Sequence, residues 1–201
     1  MTLDTIRDQM GRYISGKRLT HTLAVERECT ALAGIFALDE TDTLRLRKAA
    51  LLHDITKQKD TDAQIALCER FGIAYSETDL AAPKVFHAMT GAALAAADFG
   101  EAVDAAVCDA IRYHTVGRAG MTLLEKLLFL ADYIEDTRTF ADCVTLRGIF
   151  YDGLPSALPA RLRHLDAVLI TAFDMTIRGL LEDGAVISPN TIAARNDLLL
   201  K

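Results

Sequence analysis

Apolar residues recur every three or four positions along almost the whole chain, and alternation at every second position is nearly absent. Leu, Ala, Arg and Glu dominate and runs of β-branched residues are scarce, which favours helices over strands. The pattern therefore predicts an all-α protein. We predict helices over residues 2–14, 18–37, 41–56, 61–71, 83–98, 101–114, 121–136, 142–151, 156–182 and 189–199.

Turn and cap residues separate these segments. Pro83 and Pro189 stand at first-turn positions, Ser188 is expected to be an N-cap, and Thr41 or Asp42 is expected to cap the third helix. Glycine falls between the periodic stretches, where the residue that ends a helix is often glycine. These glycines are Gly16, Gly72, Gly100, Gly117, Gly120, Gly153 and Gly184.

Length and composition predict a single domain. The chain has 201 residues, of which 51% are hydrophobic, and this is enough to build one buried core. It contains no internal repeat, low-complexity tract or linker. We predict one compact helical bundle over residues 1–201, with the functional site within 18–138 and packing helices within 142–199. Helix 156–182 is expected to pack against the bundle, and a homodimer formed through this helix is an alternative that the sequence leaves open.

The cysteine spacing, the first residues and the net charge indicate the cellular compartment and the classes of partner. The four cysteines lie far apart without a C-x-x-C pair, which predicts reduced core thiols and a cytoplasmic location. The first residues carry no apolar secretory segment, and the longest apolar stretches, 92–97 and 127–131, are far shorter than the roughly 18 residues of a membrane span. A net charge of −6 argues against nucleic acid or an anionic membrane as the main partner.

Histidine and aspartate at the edge of apolar helices are the candidate metal ligands. His53 and Asp54 follow the apolar run 49–52, Asp132 follows 127–131, and His21 lies among apolar residues of its own helix. Buried carboxylates need a compensating cation. The set His21, His53, Asp54 and Asp132 offers nitrogen and oxygen ligands without a thiolate, which suits Fe, Mn, Zn, Co or Ni.

Basic residues stand near each candidate ligand. Arg18 precedes His21 by three residues and Lys57 follows His53 by four, so we expect each pair to share a helix face. Arg138 follows the helix of Asp132. Cations beside a metal predict an anionic substrate, and a phosphate fits best.

Each of these residues also has an ordinary structural interpretation. A single histidine on an apolar helix is more often a hydrogen-bonded core residue than a metal ligand, and single arginines and lysines are usually surface charges. Asp132 alone could be a helix-capping or salt-bridged acid. Only the ordered set of histidines, aspartates and cations carries the prediction.

This ordered set resembles the HD-domain superfamily of metal-dependent phosphohydrolases. The segments Arg18–Val25, Ala50–Lys57, His87–Ala92, Ile111–Gly117 and Ala131–Arg138 together resemble its YqeK family, and so do Thr176–Arg178 and Ile187–Asn196 in the tail. The resemblance covers nearly the whole chain. One departure is Asp136, which stands where proline is common before the arginine.

The resemblance implies a symmetrical hydrolase of diadenosine tetraphosphate that forms two ADP molecules. It implies an iron-type centre, with one or two metal ions per chain, held by His21, His53, Asp54 and Asp132. It also implies a phosphate-binding and nucleotide-binding site that uses Arg18, Lys57, His87, Tyr113, His114 and Arg138.

The catalytic roles follow from that assignment. Asp54 would orient the attacking water, Lys57 would neutralise phosphate charge, and His87 and His114 would contact the phosphates and supply a proton to the departing ADP. An alternative makes His87 and His114 ligands of a second metal. His164 matches no motif and is expected to be structural.

Two other functions remain open on the sequence. Another HD phosphohydrolase, acting on nucleoside mono- or triphosphates, would share the fold and the metal site. A non-catalytic nucleotide-binding helical module would bind a ligand without turnover.

Overall fold

The computed structural model describes residues 1–200, which form helices and connecting turns without a β-strand, so the all-α prediction is confirmed. The α-helices are α1 (Leu3–Gln9), α2 (Gly16–Ile35), α3 (Glu40–Leu52), α4 (Thr61–Phe71), α5 (Glu77–Ala81), α6 (Phe86–Phe99), α7 (Ala105–Tyr113), α8 (Leu123–Ile134), α9 (Ala141–Asp152), α10 (Leu158–Glu182) and α11 (Pro189–Leu199). Short 3-10 turns cover Met10–Arg12, Pro83–Val85 and Gly100–Ala102.

Several helix ends follow from local capping. Asp60 and Asp104 accept backbone N–H bonds at the starts of α4 and α7, which satisfies donors that a helix start leaves free. Gly72 ends α4 in the left-handed conformation. The expected cap at Thr41 or Asp42 is wrong, because Asp39 accepts from the Asp42 N–H and begins α3 earlier.

The structure differs from the sequence prediction at several places. The first helix changes to a 3-10 turn at Met10, ahead of Gly11. Gly16 begins α2 and does not end the preceding helix. Helix α5 was not predicted, although Ser76 and Asp79 form a capping box that is visible in the sequence.

Helix α3 ends at Leu52, so residues 53–58 form consecutive turns and not the last turn of a longer helix. The expected helix face shared by His53 and Lys57 is therefore wrong. The turn N–H groups bond three residues back, as from Lys57 to the Asp54 carbonyl. This tight turn keeps His53 and Asp54 at the end of an apolar helix.

The helices surround a central core. Helix α3 packs against α2, α7 and α8, and α6 packs on α7. Helices α9 and α10 pack against α8, and α11 packs on α10. One hydrophobic cluster runs through the bundle from Ile6 to Leu198. Because α2, α3, α6, α7 and α8 meet around this core, polar side chains at their inner ends are brought together.

Within residues 1–200, no helix is both long and apolar enough to cross a membrane.

Candidate metal and phosphate site

Six of the side chains predicted from the sequence meet at one place. His21 lies in the second turn of α2, His53 is the C-cap of α3, and Asp54 follows it. His87 lies in α6, His114 is the C-cap of α7, and Asp132 lies in the last turn of α8. All but Asp132 are buried, and Asp132 is half-buried.

The Asp54 carboxylate stands at the centre of the cluster. Its Oδ2 lies 3.4 Å from His53 Nε2 and 3.8 Å from His21 Nε2. Its Oδ1 lies 3.3 Å from His87 Nε2 and 3.8 Å from His114 Nε2. Each carboxylate oxygen therefore faces a different pair of imidazoles.

Asp132 joins the first pair of imidazoles. Its Oδ1 lies 2.9 Å from His21 Nε2 and 3.8 Å from His53 Nε2. The first pair thus has two carboxylates beside it, whereas the second pair shares only Asp54.

Hydrogen bonds behind the rings define the tautomers of three histidines. The Nδ1 atoms of His53, His87 and His114 lie 2.6–2.7 Å from the carbonyl oxygens of Ala50, Lys84 and Ile111. A carbonyl oxygen only accepts, so Nδ1 carries the proton in each ring. The Nε2 lone pairs then point into the cluster, as metal-binding imidazoles require.

Glu135 accepts a hydrogen bond from Nδ1 of His21 and so defines the tautomer of this ring as well. The sequence analysis did not select Glu135. Its fully buried Oε1 lies 3.0 Å from His21 Nδ1. It also accepts bonds from the N–H and the hydroxyl of Thr137. Its only sequence signal is its place three residues after Asp132, on the same helix face.

The cluster fits a divalent metal. His53 Nε2 and Asp54 Oδ1 are buried without a hydrogen-bond partner, which is costly unless a ligand takes them. The Nε2 atoms of His87 and His114 lie 3.1 Å apart, and two facing lone pairs repel each other without a cation or a proton.

Three groups of ligand atoms lie within 4.8 Å of one another. The first is His21, His53 and Asp54, the second is Asp54, His87 and His114, and the third is His53, His114 and Asp132. The first two groups share Asp54.

Burial favours the neutral, metal-binding forms of His87 and His114. Burial also opposes protonation of His21, but hydrogen bonds to Asp132 and Glu135 raise the pKa of that ring. Burial lowers the pKa of His114 to about 4, and it lowers the pKa of His87 well below its usual value. Burial alone would raise the pKa of Asp54, but the neighbouring His53 and His87 hold that pKa well below its usual range. Neutral imidazoles beside an ionised carboxylate are the forms that ligate divalent cations.

The three predicted cations also reach the cluster. Arg18 donates to Asp54 Oδ2 and Arg138 donates to Asp132 Oδ1, both over 2.6 Å. Lys57 Nζ lies 3.2 Å from both ring nitrogens of His87. Asp136, the departure from the family pattern, is exposed and pairs with Arg27.

Two cavities of nearly equal volume open beside the cluster, in addition to a smaller one of about 200 Å³ at Lys57 and His87. One, of about 480 Å³, is lined by Arg18, His21, Arg138 and Phe140 among others. The other, of about 470 Å³, is lined by Lys57, His114, Asp132, Arg138 and Phe140 among others. Both reach proposed ligands, and Arg138 and Phe140 border both.

Tyr113 is not brought to this cluster. Its ring lies 4.5 Å from the Arg118 guanidinium, and it lines a separate cavity of about 70 Å³ with Met89 and Arg112. Thr115, which the sequence analysis did not select, lies nearer, with its hydroxyl 3.1 Å from His114 Nε2. His164 lies outside the cluster, with Nε2 3.0 Å from the Phe150 carbonyl.

The bundle thus brings four imidazoles and two carboxylates together in one site that can hold divalent metal. The sequence profile of the HD domain matches residues 18–137, and the chain belongs to the HD-domain family. The matched span contains all six cluster residues, and the resemblance drawn from the sequence is confirmed.

Similar proteins point to a particular group within the HD-domain family. The symmetrical bis(5′-nucleosyl)-tetraphosphatase of Halalkalibacterium halodurans is 31% identical over 94% of this chain and 92% of its own length. The protein of the same name from Bacillus subtilis is 36% identical over 76% of this chain and 80% of its own length.

A solved structure agrees with the fold over the full length. It is described as a predicted HD superfamily hydrolase involved in NAD metabolism from Clostridium acetobutylicum. It is 32% identical, covers 100% of this chain and 98% of its own, and superposes with a TM-score of 0.85.

Proposed function

We propose that this chain hydrolyses diadenosine tetraphosphate symmetrically into two ADP molecules with the help of divalent metal. The observation that carries the proposal is the Asp54 carboxylate, set between two pairs of imidazole nitrogens with Arg18, Arg138 and Lys57 around it. The names of the relatives supply the substrate class.

His21, His53, Asp54 and Asp132 would hold one metal ion. Asp54 would share its second oxygen with His87 and His114, which would hold another. These two histidines are better suited as ligands than as proton donors, because their Nδ1 protons are used by backbone carbonyls and their Nε2 atoms face Asp54. Two metals per chain are therefore part of the proposal.

A bound divalent cation acidifies water and polarises a phosphoryl oxygen. The chain's own cations do the remaining electrostatic work. Arg18 and Arg138 end beside the ligand carboxylates and would turn to the phosphate oxygens, while Lys57 lies next to His87 at the edge of a cavity. Because the leaving group is ADP, stabilisation of its charge matters more than a strong acid.

Iron is the proposed native metal. The donors are imidazole nitrogen and carboxylate oxygen, which suit iron as well as Mn, Co, Ni or Zn, and the family resemblance favours iron. We also propose a cytoplasmic location, supported by four cysteines that all remain free thiols.

Product analysis tests the activity. Metal-loaded protein is incubated with diadenosine tetraphosphate and, separately, with nucleoside mono- and triphosphates, and the products are separated by ion exchange. ADP as the sole product from the dinucleotide is the expected result. Cleavage of another nucleotide instead would identify a different HD phosphohydrolase, and binding without turnover of any would identify a non-catalytic module.

Metal content tests the two-metal assignment. We expect about two metal ions per wild-type chain by elemental analysis and about one in His87→Ala. His164→Ala, a histidine outside the cluster, is the control and retains both. One metal ion in the wild-type chain, unchanged in His87→Ala, would rule out the second site.

A further inference from the structure

Phe140 is a large apolar side chain left in solvent at the edge of the site. It stands just before α9 and its relative exposure is 70%. It borders both cavities beside the metal cluster. Arg138, two residues earlier, is bonded to the ligand Asp132. An exposed aromatic ring and a cation bonded to a proposed metal ligand thus line the same two cavities.

The two cavities differ in chemistry. The cavity of about 480 Å³ carries Lys17 and Arg18 in addition to Arg138 and Phe140. The lining of the cavity of about 470 Å³ includes three aromatic rings, those of Phe129, Tyr133 and Phe140. It also includes His114, Asp132 and Arg138. Both cavities reach Phe140 and a proposed ligand, but the second adds Phe129 and Tyr133 to its aromatic lining.

We propose that Phe140 stacks on a purine base of the bound nucleotide, with the base in this aromatic cavity and its phosphates toward Arg138 and the cluster. The inference rests on the proposed function and names a base-recognition residue for it. A cavity of this volume is in the range of small-molecule sites. Stacking of an aromatic side chain on a base changes affinity by about 5-fold to 150-fold and needs no hydrogen-bond pattern.

A comparison with Val144 distinguishes base stacking by Phe140 from a general apolar patch that includes both side chains. It lies one turn along α9 from Phe140 and is 50% exposed, but it does not line either cavity. A protein partner that covered this end of α9 would contact both side chains. A base in the aromatic cavity would contact Phe140 alone.

Calorimetric titration of the metal-loaded full chain tests the proposal with two probes, ADP and inorganic pyrophosphate. In Phe140→Ala we expect ADP to bind about tenfold more weakly, whereas pyrophosphate, which has no base, binds as in wild type. Phe140→Trp restores the ADP affinity. Val144→Ala, the matched control, leaves both affinities unchanged.

Four results would overturn the proposal, of which three concern Phe140 and the wild-type chain. They are wild-type ADP affinity in Phe140→Ala, equal weakening of ADP and pyrophosphate in that variant, and a wild-type chain that binds no ADP. A fourth is an equal effect of Val144→Ala, accompanied by a change in sedimentation, which would assign the patch to a protein interface. If Phe140→Ala weakens ADP binding as expected but the wild-type chain does not cleave diadenosine tetraphosphate, the proposed hydrolase activity would be refuted. The base-stacking role of Phe140 would then still hold.

Discussion

Each imidazole of the cluster is oriented by an acceptor on its far side. For His53, His87 and His114 the acceptor is the carbonyl three residues earlier, so the orientation is built into the local backbone. For His21 it is the Glu135 side chain, which comes from another helix. His21 is therefore the one ring of the four whose support depends on a replaceable side chain.

Glu135→Gln should weaken metal binding without removing a ligand. A glutamine presents one acceptor oxygen, and its amide group must face a donor, either His21 Nδ1 or the Thr137 N–H. We expect metal affinity to fall about 10-fold to 100-fold, measured by competition with a chelator of known affinity.

Glu125→Gln is the matched control for this prediction. Glu125 is also buried, on α8, but it pairs with Arg118 away from the cluster. Its replacement should lower thermal stability and leave metal affinity unchanged. Equal metal affinity in wild type and Glu135→Gln would show that Glu135 has no positioning role.

At the scale of helices, the turn after α7 links the site to the C-terminal helices. Gly117 has a φ of +68°, and a Cβ there would lie 2.7 Å from the Phe173 ring and 2.9 Å from Ala194 Cβ. The turn thus packs directly on α10 and α11, three residues after His114. Only glycine fits both the backbone conformation and the space.

Gly117→Ala should destabilise the fold more than Gly120→Ala. Both positions have positive φ, but a Cβ at Gly120 meets nothing within 4 Å. The backbone strain costs about 1–2 kcal/mol at either position, and overpacking at Gly117 adds about 1–3 kcal/mol. Urea unfolding of the two variants measures the difference. Equal stabilities would show that α10 and α11 yield to the added methyl group.

At the scale of the whole molecule, the cluster joins helices that are far apart in sequence. Its ligands come from α2, the α3 end, α6, the α7 end and α8, and these elements also form the core. Without a cation, His53 Nε2 and Asp54 Oδ1 lack partners. A metal that binds only the assembled cluster therefore stabilises the entire fold.

Metal removal should lower the melting temperature. At a free metal concentration of 100 times Kd, binding adds about 2.7 kcal/mol to the free energy of unfolding, which for a chain of this size is about 5–10 °C. Calorimetry before and after dialysis against a chelator measures the shift. In Asp132→Asn the shift should shrink. An unchanged wild-type melting temperature after verified metal removal would contradict the prediction.

Ten of the eleven helices were predictable because their apolar periodicity and their glycine and proline boundaries are local signals. Four cluster residues, His21, His53, Asp54 and Asp132, could be selected because buried ionisable groups on apolar helices demand compensation. His87 and His114 were selected through the family resemblance. Helix α5 was missed, since its five residues are too few to show a period and none of them is buried. A homodimer through α10 stays a prediction.

By itself the sequence determined the helical class and the list of residues able to bind metal and phosphate, because both depend on residue type and short-range spacing. Only the tertiary structure decided that Asp54 lies between two imidazole pairs, that Glu135 supports His21, and that Tyr113 lies elsewhere. These relations join residues as much as 114 positions apart. Such distances are set by how the helices pack, and helical periodicity carries no information about them.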